Sequence, residues 1–445
     1  MNSETGSRET KNMLLNIGPS HPAMHGVIRL ITELEAETVI KVEAEIGYLH
    51  RAFEKSCENS SWTQSVPYTD RLNYVSPLIN NFGYCAAVEK LFGIVPTDRC
   101  QYIRVIMSEI SRITDHLTCI AASAMELGAM TAFLYLMKAR EYLYDIIEEV
   151  TGARLTISYG RIGGVKADLP SGVEERLESA LKKTEKEMEE VHLLLTRNRI
   201  WFDRTRDVGI LTRENALKYS VTGPLARSIG INYDVRKAFP YFVYDRVDFE
   251  VPLGERGDNY DRYLVRMEEM RQSIRIIRQC LKDIPGGPIH IGKEDSVPSF
   301  DLVDQAKMGQ TAGLVNVIST VEPTLEGSER PYHERIMPEE KRAVLPTKGD
   351  TYGNIEGLMN HFKLFMNSHG IRPPAGDTYF AVEGANGELG FYVVSDGKDQ
   401  PYRVRVRPPC FFGMAALHTM LEGYMVADIV ATFGSINMIA GELDR

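Results

Sequence analysis

Apolar side chains alternate with polar ones near the start of the chain: Ile28, Leu30 and Leu34, then Ile40, Val42, Ala44 and Ile46 against Lys41, Glu43 and Glu45. A period of two sends successive side chains to opposite faces, so this stretch predicts strands. With 35–38 as its turn, the segment from about 13 to 47 predicts a small antiparallel N-terminal sheet. At Gly47 the pattern changes. From His50 to about 150 apolar residues recur at three and four, which is helical spacing. Pro96-Thr97-Asp98 supplies a start signal with Thr97 or Asp98 as cap; Gly128 loosens that helix's end, a second runs to Val150, and Gly152 closes it. Helices near 177–198 and 261–283 follow, the first so charged that one side must face water. These elements predict a central bundle of four or more long helices.

From 284 to about 349 the chain carries scattered prolines, a Gly286-Gly287 pair and only a weak helical hint near 301–319, which predicts a surface insertion. Order then returns: a helix at about 354–368, a hairpin at 378–395 turning at Asn386-Gly387, a basic strand at 402–407 and a last helix at about 413–432, ending before Gly434. The expected architecture is α+β, divided as 1–47 (sheet), 48–284 (helical bundle), 285–350 (insertion) and 351–445 (C-terminal α+β segment).

The stretch 117–137 has the length of a membrane span and a single charge, Glu126. Its amphipathic flanks and its small residues favour a buried helix of a bundle instead. The formal charge of −10, from 61 carboxylates against 51 bases in 445 residues, argues against a nucleic-acid surface. Six cysteines, Cys57, Cys85, Cys100, Cys119, Cys280 and Cys410, form no Cys-x-x-Cys pair, which fits a reducing cytoplasm. Residues 1–12 are polar, lack the apolar core of a signal peptide and read as a frayed tail.

The candidate chemistry centres on Asn16-Ile-Gly-Pro-Ser-His-Pro-Ala-Met-His-Gly26. Pro19 and Pro22 stiffen this loop while Gly18 and Gly26 permit sharp turns. His21 and His25 have the spacing of a helical zinc pair, but Pro22 opposes a helix and the glutamate of such motifs is missing. Turn histidines bonded to backbone are a second reading, and a proton-donating pair at a pocket is the favoured one. In Pro67-Tyr-Thr-Asp-Arg-Leu-Asn-Tyr74, the Tyr74 phenol beside an imidazole could hold one carbonyl of a quinone while the histidine holds the other; a tyrosine of the core or a helix surface is the plainer reading. Glu126 in its apolar run either pairs with a cation, for which His25 is a candidate, or carries a raised pKa. Arg161-Ile-Gly-Gly-Val165 reads as a backbone crossing point rather than a phosphate loop, and residues 251–258 as a rigid turn capping the next helix.

Gly18-Pro-Ser-His-Pro-Ala-Met-His-Gly26, Leu49-His-Arg-Ala-Phe-Glu-Lys55 and Pro67 to Tyr74 resemble the D-subunit family of respiratory NADH-quinone oxidoreductases, complex I. Arg161-Ile-Gly-Gly-Val165, Asn198-Arg-Ile-Trp201, Arg256-Gly-Asp-Asn-Tyr-Asp-Arg-Tyr263, Val394-Ser-Asp-Gly397 and Gly441-Glu-Leu-Asp-Arg445 agree in family order. The resemblance implies a fold like the large subunit of nickel-iron hydrogenases and a peripheral place on the cytoplasmic face of the inner (plasma) membrane. It also implies an iron-sulfur small subunit as neighbour, carrying a [4Fe-4S] cluster, with further complex I subunits, membrane-arm subunits among them. Quinone would be the substrate, this chain itself holding no metal. His25 and Tyr74 would contact the quinone and donate its protons, His21, Asp70 and Glu126 would line or support its cavity, and Arg51 and Arg71 would lie toward the cluster.

Three departures accompany the resemblance. Glu126 stands where the family has aspartate, Thr156 where many relatives have histidine, and the insertion is long. A true hydrogenase large subunit would need two Cys-x-x-Cys pairs, which are missing. The equivalent subunit of a ferredoxin- or deazaflavin-fed enzyme, and a structural scaffold, remain as alternatives.

Overall fold

The computed structural model describes residues 12–25, 27–291, 346, 348–353, 355–366 and 370–445. The expected tail and the helical hint at 301–319 lie outside the described residues, as does most of the expected insertion. Residues 285–291 run along the bundle: the Pro285 and Pro288 carbonyls accept from Arg99 Nη1 at 2.8 Å and Thr97 Oγ1 at 2.6 Å.

The alternating segment forms an antiparallel sheet, β1 (Met13–Ile17), β2 (Arg29–Glu35) and β3 (Thr38–Glu45), in that order. Its phase on β3 differs from the expectation. Glu33 pairs with Lys41 and Leu34 with Val39, so Ile40 has no partner. This bulge turns Val39 and Val42 inward and leaves Ile40 exposed.

The bundle consists of α1 (Pro77–Phe92), α2 (Asp98–Glu126), α3 (Met130–Thr151) and α4 (Val173–Leu195), with the short α5 (Arg199–Thr205) leading to α6 (Asn259–Asp283). Thr97 caps α2, its hydroxyl accepting from Cys100 N. Asn198 and Asp258 cap α5 and α6 in the same way. Gly128, at φ 89°, separates α2 from α3, so the apolar stretch 117–137 is divided between two helices that pack on each other. Among the described residues no helix is long and apolar enough to cross a membrane.

Charged groups lie at the centre of the bundle. Arg104 grips Glu89 at 2.6 and 2.8 Å, and Arg227 bridges Glu269 at 2.7 Å and Glu383 at 2.8 Å. All five are buried. Arg112 donates to the carbonyls of Glu383 and Gly384, which ties α2 to the C-terminal sheet.

That sheet is β6 (Gly376–Gly384), β7 (Gly387–Ser395) and β8 (Arg403–Arg407); the two-residue strands β4 (Gly160–Arg161) and β5 (Gly164–Val165) form the expected crossing at Gly163 and Gly164. The β6–β7 turn occupies 385–386, one residue before the expected position, because Gly384 pairs with Gly387. α7 (Ile355–Phe365) precedes this sheet. The helix expected at 413–432 is two, α8 (Pro409–Leu421) and α9 (Asp428–Ile436). Between them the backbone pairs with the edge of β3: Gly423 N donates to Val39 O, and Val39 N to Tyr424 O, both at 2.8 Å. The unpaired edge of the N-terminal sheet competes for those backbone groups and wins. That sheet has no core of its own; its buried face shares one hydrophobic core with α8, α9 and the short helix Ala440–Leu443.

Candidate functional site

The histidine loop joins β1 to β2. Gly18 has φ 85°, and a Cβ there would stand 2.1 Å from Ile28 O, so only glycine lets the two ends of the loop close. Pro22–Met24 forms one 3-10 turn, with His21 as its cap through Nδ1, which accepts from Ala23 N at 3.2 Å. Ala23 and Met24 are buried and peg the loop to the core, while His21 and His25 are exposed. His25 adopts φ 53°, and its ring lies on Phe433 with centroids 5.7 Å apart. Desolvation of that inner face lowers its pKa. Among the described residues no group of three or more histidine, cysteine or acidic side chains could hold a metal ion.

Tyr74 follows a turn that Asn73 locks. Asn73 Oδ1 accepts from Val75 N and Ser76 N, and its Nδ2 donates to the buried Asp115 of α2 at 2.8 Å. Tyr74 is half-buried against the same core as Ala23 and Met24, and its hydroxyl has no hydrogen-bond partner among the described residues. Burial raises its pKa, and the neighbouring Cys410 adds to the rise.

Asp70 is fully buried and lines no surface. Its carboxylate accepts from Asn81 Nδ2 at 2.5 Å, Ser158 N at 2.9 Å and Ser158 Oγ at 2.6 Å, which braces the loop that carries Thr156. Burial outweighs these bonds and raises its pKa.

Glu126 does not pair with His25; no ion pair joins them. Its Oε2 is buried without a hydrogen bond, beside Ser123 and Gly434, and desolvation pushes its pKa up to about 7. The two residues meet neighbouring positions of α9, Phe433 and Gly434, rather than each other.

Arg51 and Arg71 are exposed and adjacent, Arg51 Nη2 donating to Arg71 O at 2.6 Å and to Gly441 O at 3.3 Å. Repulsion from Arg71 adds to desolvation in lowering the Arg51 pKa. The last residues complete this corner. The Asp444 carboxylate accepts from Gly47 N at 3.0 Å and Leu49 N at 2.8 Å. Glu442 is buried, accepts from Cys410 N at 3.1 Å and is pushed up to about 7 by desolvation. Neither Glu442 nor Phe433 was singled out from the sequence, although Glu442 belongs to the terminal Gly441-Glu-Leu-Asp-Arg445 motif.

These features define an α+β protein like the hydrogenase large subunit, whose six cysteines are free, buried and scattered. The chain belongs to the family described as respiratory-chain NADH dehydrogenase, 49 kDa subunit, which matches residues 126–445, and it is thus a subunit of an oxidoreductase complex. It is 49% identical over 437 residues to the D subunit of the NADH-quinone oxidoreductase of Myxococcus xanthus, covering 98% of this chain and 94% of that protein. The D subunit of the Pelobacter propionicus enzyme is 47% identical, with 98% and 96% covered. The C/D subunit of the Bdellovibrio bacteriovorus enzyme is 45% identical over 448 residues, all of this chain and 71% of that protein.

Proposed function

We propose that this chain forms the quinone-reducing site of a proton-pumping NADH-quinone oxidoreductase, together with an iron-sulfur small subunit that carries a [4Fe-4S] cluster. The complex would lie on the cytoplasmic face of the membrane against its membrane-arm subunits. Reduction of a quinone to a quinol adds two electrons and two protons. Electrons arriving by tunnelling from the partner's cluster bring no protons, so side chains must supply them. His25 and Tyr74 donate hydrogen bonds to the two quinone oxygens and pass protons to them as electrons arrive. His25, with its lowered pKa, is neutral at pH 7: its ring N–H holds the quinone oxygen, and that proton moves to the quinone as the second ring nitrogen takes up another from solvent. His21 shapes the loop, Asp70 braces the wall, and Glu126 holds a proton near neutral pH against α9. Arg51 and Arg71 put positive charge toward the partner's cluster, which favours its reduced form.

The support for this reading is that an exposed imidazole resting on Phe433 and an unpartnered phenol both border the hydrophobic core to which Phe433 belongs. His25→Ala and Tyr74→Phe in the assembled complex are the test. Each should slow quinone reduction by about a hundredfold or more while NADH oxidation by a water-soluble acceptor continues. Undiminished quinone reduction in both variants would leave a scaffold role.

A further inference from the structure

Where α2, α5, α6 and α9 meet lies a small, partly open cavity of about 20 Å³, lined among others by Ser123, Trp201, Thr205, Tyr263, Arg266 and Ser435. A space of that size holds one water-sized occupant. Two of its walls carry buried donors with nothing to donate to: Trp201 Nε1 and Arg266 Nε have no partner, and the residues are 5% and 1% exposed. The one hydrogen bond of Arg266 among the described residues is a long one, from Nη2 to Ile436 O at 3.5 Å. Buried donors of this kind mark an occupant that satisfies them.

Charge narrows the identity of that occupant. One turn earlier on α6, Arg262 is also fully buried, and no carboxylate lies within 4 Å of either guanidinium among the described residues. Arg262 bonds only neutral groups, among them Gly209 O at 2.7 Å and Ser435 Oγ at 2.9 Å. Desolvation and repulsion from Arg266 push its pKa down to about 9. Of the nearby acids, Glu126 holds its proton up to about pH 7, and the other two are committed elsewhere. Asp258 caps α6 and accepts from Asp207 N, and Asp115 is held by Asn73 and Asn437. The cavity hydroxyls have placed their protons too: Ser123 donates to Cys119 O, Thr205 to Trp201 O and Ser435 to Thr432 O. The free groups on the wall are therefore N–H donors beside two cations that touch no carboxylate, Asp258 and Asp261 acting on Arg262 only from a distance.

We propose that this cavity binds one halide-sized monovalent anion between Arg266 Nε and Trp201 Nε1, which neutralises the arginine pair and ties α5 to α6 and α9. The anion accepts both N–H bonds and, unlike a water, has no protons of its own to place.

Crystals of the assembled complex grown in bromide test this. An anomalous peak should appear in contact with both nitrogens. In solution, bromide should slow hydrogen exchange of α5 and the first turns of α6 relative to gluconate at equal ionic strength. Trp201→Phe should raise the half-effective bromide concentration by about tenfold. Density with no anomalous signal would show a water and overturn the proposal. A bromide peak without any halide effect on exchange would show binding at crystal concentration only, and would overturn it as well. Both wild-type measurements decide the matter even where the variant fails to assemble.

Discussion

Gly434 lies directly against the Glu126 carboxylate: a Cβ at position 434 would stand 2.7 Å from Glu126 Oε2. α2 and α9 thus touch here, and the residue before Gly434 is Phe433, on which the His25 ring rests. Gly434→Ala should force the two helices apart and disturb the histidine loop. Overpacking of this kind costs about 1–3 kcal/mol. Thermal unfolding of the assembled complex should fall accordingly, and an unchanged midpoint would show that Glu126 simply swings aside.

The same carboxylate makes stability depend on pH. Its pKa rises from 4.5 to about 7 on folding. Between those values the folded chain retains a proton that the unfolded chain has released, so stability falls as pH rises through that window. The penalty is absent below 4.5 and complete above about 7, where a shift of that size amounts to about 3 kcal/mol. Glu126→Gln should therefore stabilise the complex at pH 8 and do nothing at pH 4. Equal unfolding midpoints for variant and wild type at pH 8 would contradict this.

Closure of the histidine loop rests on Gly18, where a Cβ would meet Ile28 O at 2.1 Å. Gly18→Ala should spring the loop and lower quinone reduction at least as far as His25→Ala does, without unfolding the bundle. Limited proteolysis near residue 20, compared with the wild type, reports the opening; identical cleavage and activity would show that the loop's shape is irrelevant.

In the buried pair of Arg104 and Glu89, the carboxylate also accepts from Gly163 N at 2.6 Å, so it fastens the β4–β5 crossing to α1 and α2. Removing one charge leaves the other buried and alone, which costs about 3–5 kcal/mol. Arg104→Met should be far more harmful than replacement of an exposed pair such as Arg199 and Asp203. Comparable denaturation midpoints for the two variants would refute that ranking.

Thr156 is exposed and cannot titrate. On the proposed reading, the potential of the partner's [4Fe-4S] cluster should be flat between about pH 6 and 8, and Thr156→His should introduce a slope. A steep slope in the wild type, read by redox titration, would contradict the assignment.

Much of the architecture was readable because it is written in local patterns. The cap at Thr97, the capping turn that ends at Asp258, the break at Gly128, the stop at Gly152 and the turn between β2 and β3 each depend on residues within a few positions of one another. The misses have the opposite character. Ile40 left its expected face because of a bulge set by pairing with β2, and the last helix divided because β3, almost 400 residues earlier, takes its middle backbone. At the site, the histidine loop and Tyr74 announced themselves through residue type and resemblance. The failure of Glu126 to meet His25, and the burial of Asp70, did not.

The chain's own order thus determined where helices and strands begin, which side chains can give or take protons, and which family the protein joins. Those depend on backbone sterics, short-range hydrogen bonds and side-chain chemistry. Only the folded structure decided which buried charges neutralise each other, that His25 and Glu126 each abut α9, and that Arg266 and Trp201 face a common cavity. Electrostatics in a dry interior is governed by distance in space, and residues 126, 201, 266 and 434 become neighbours only when the helices that carry them pack.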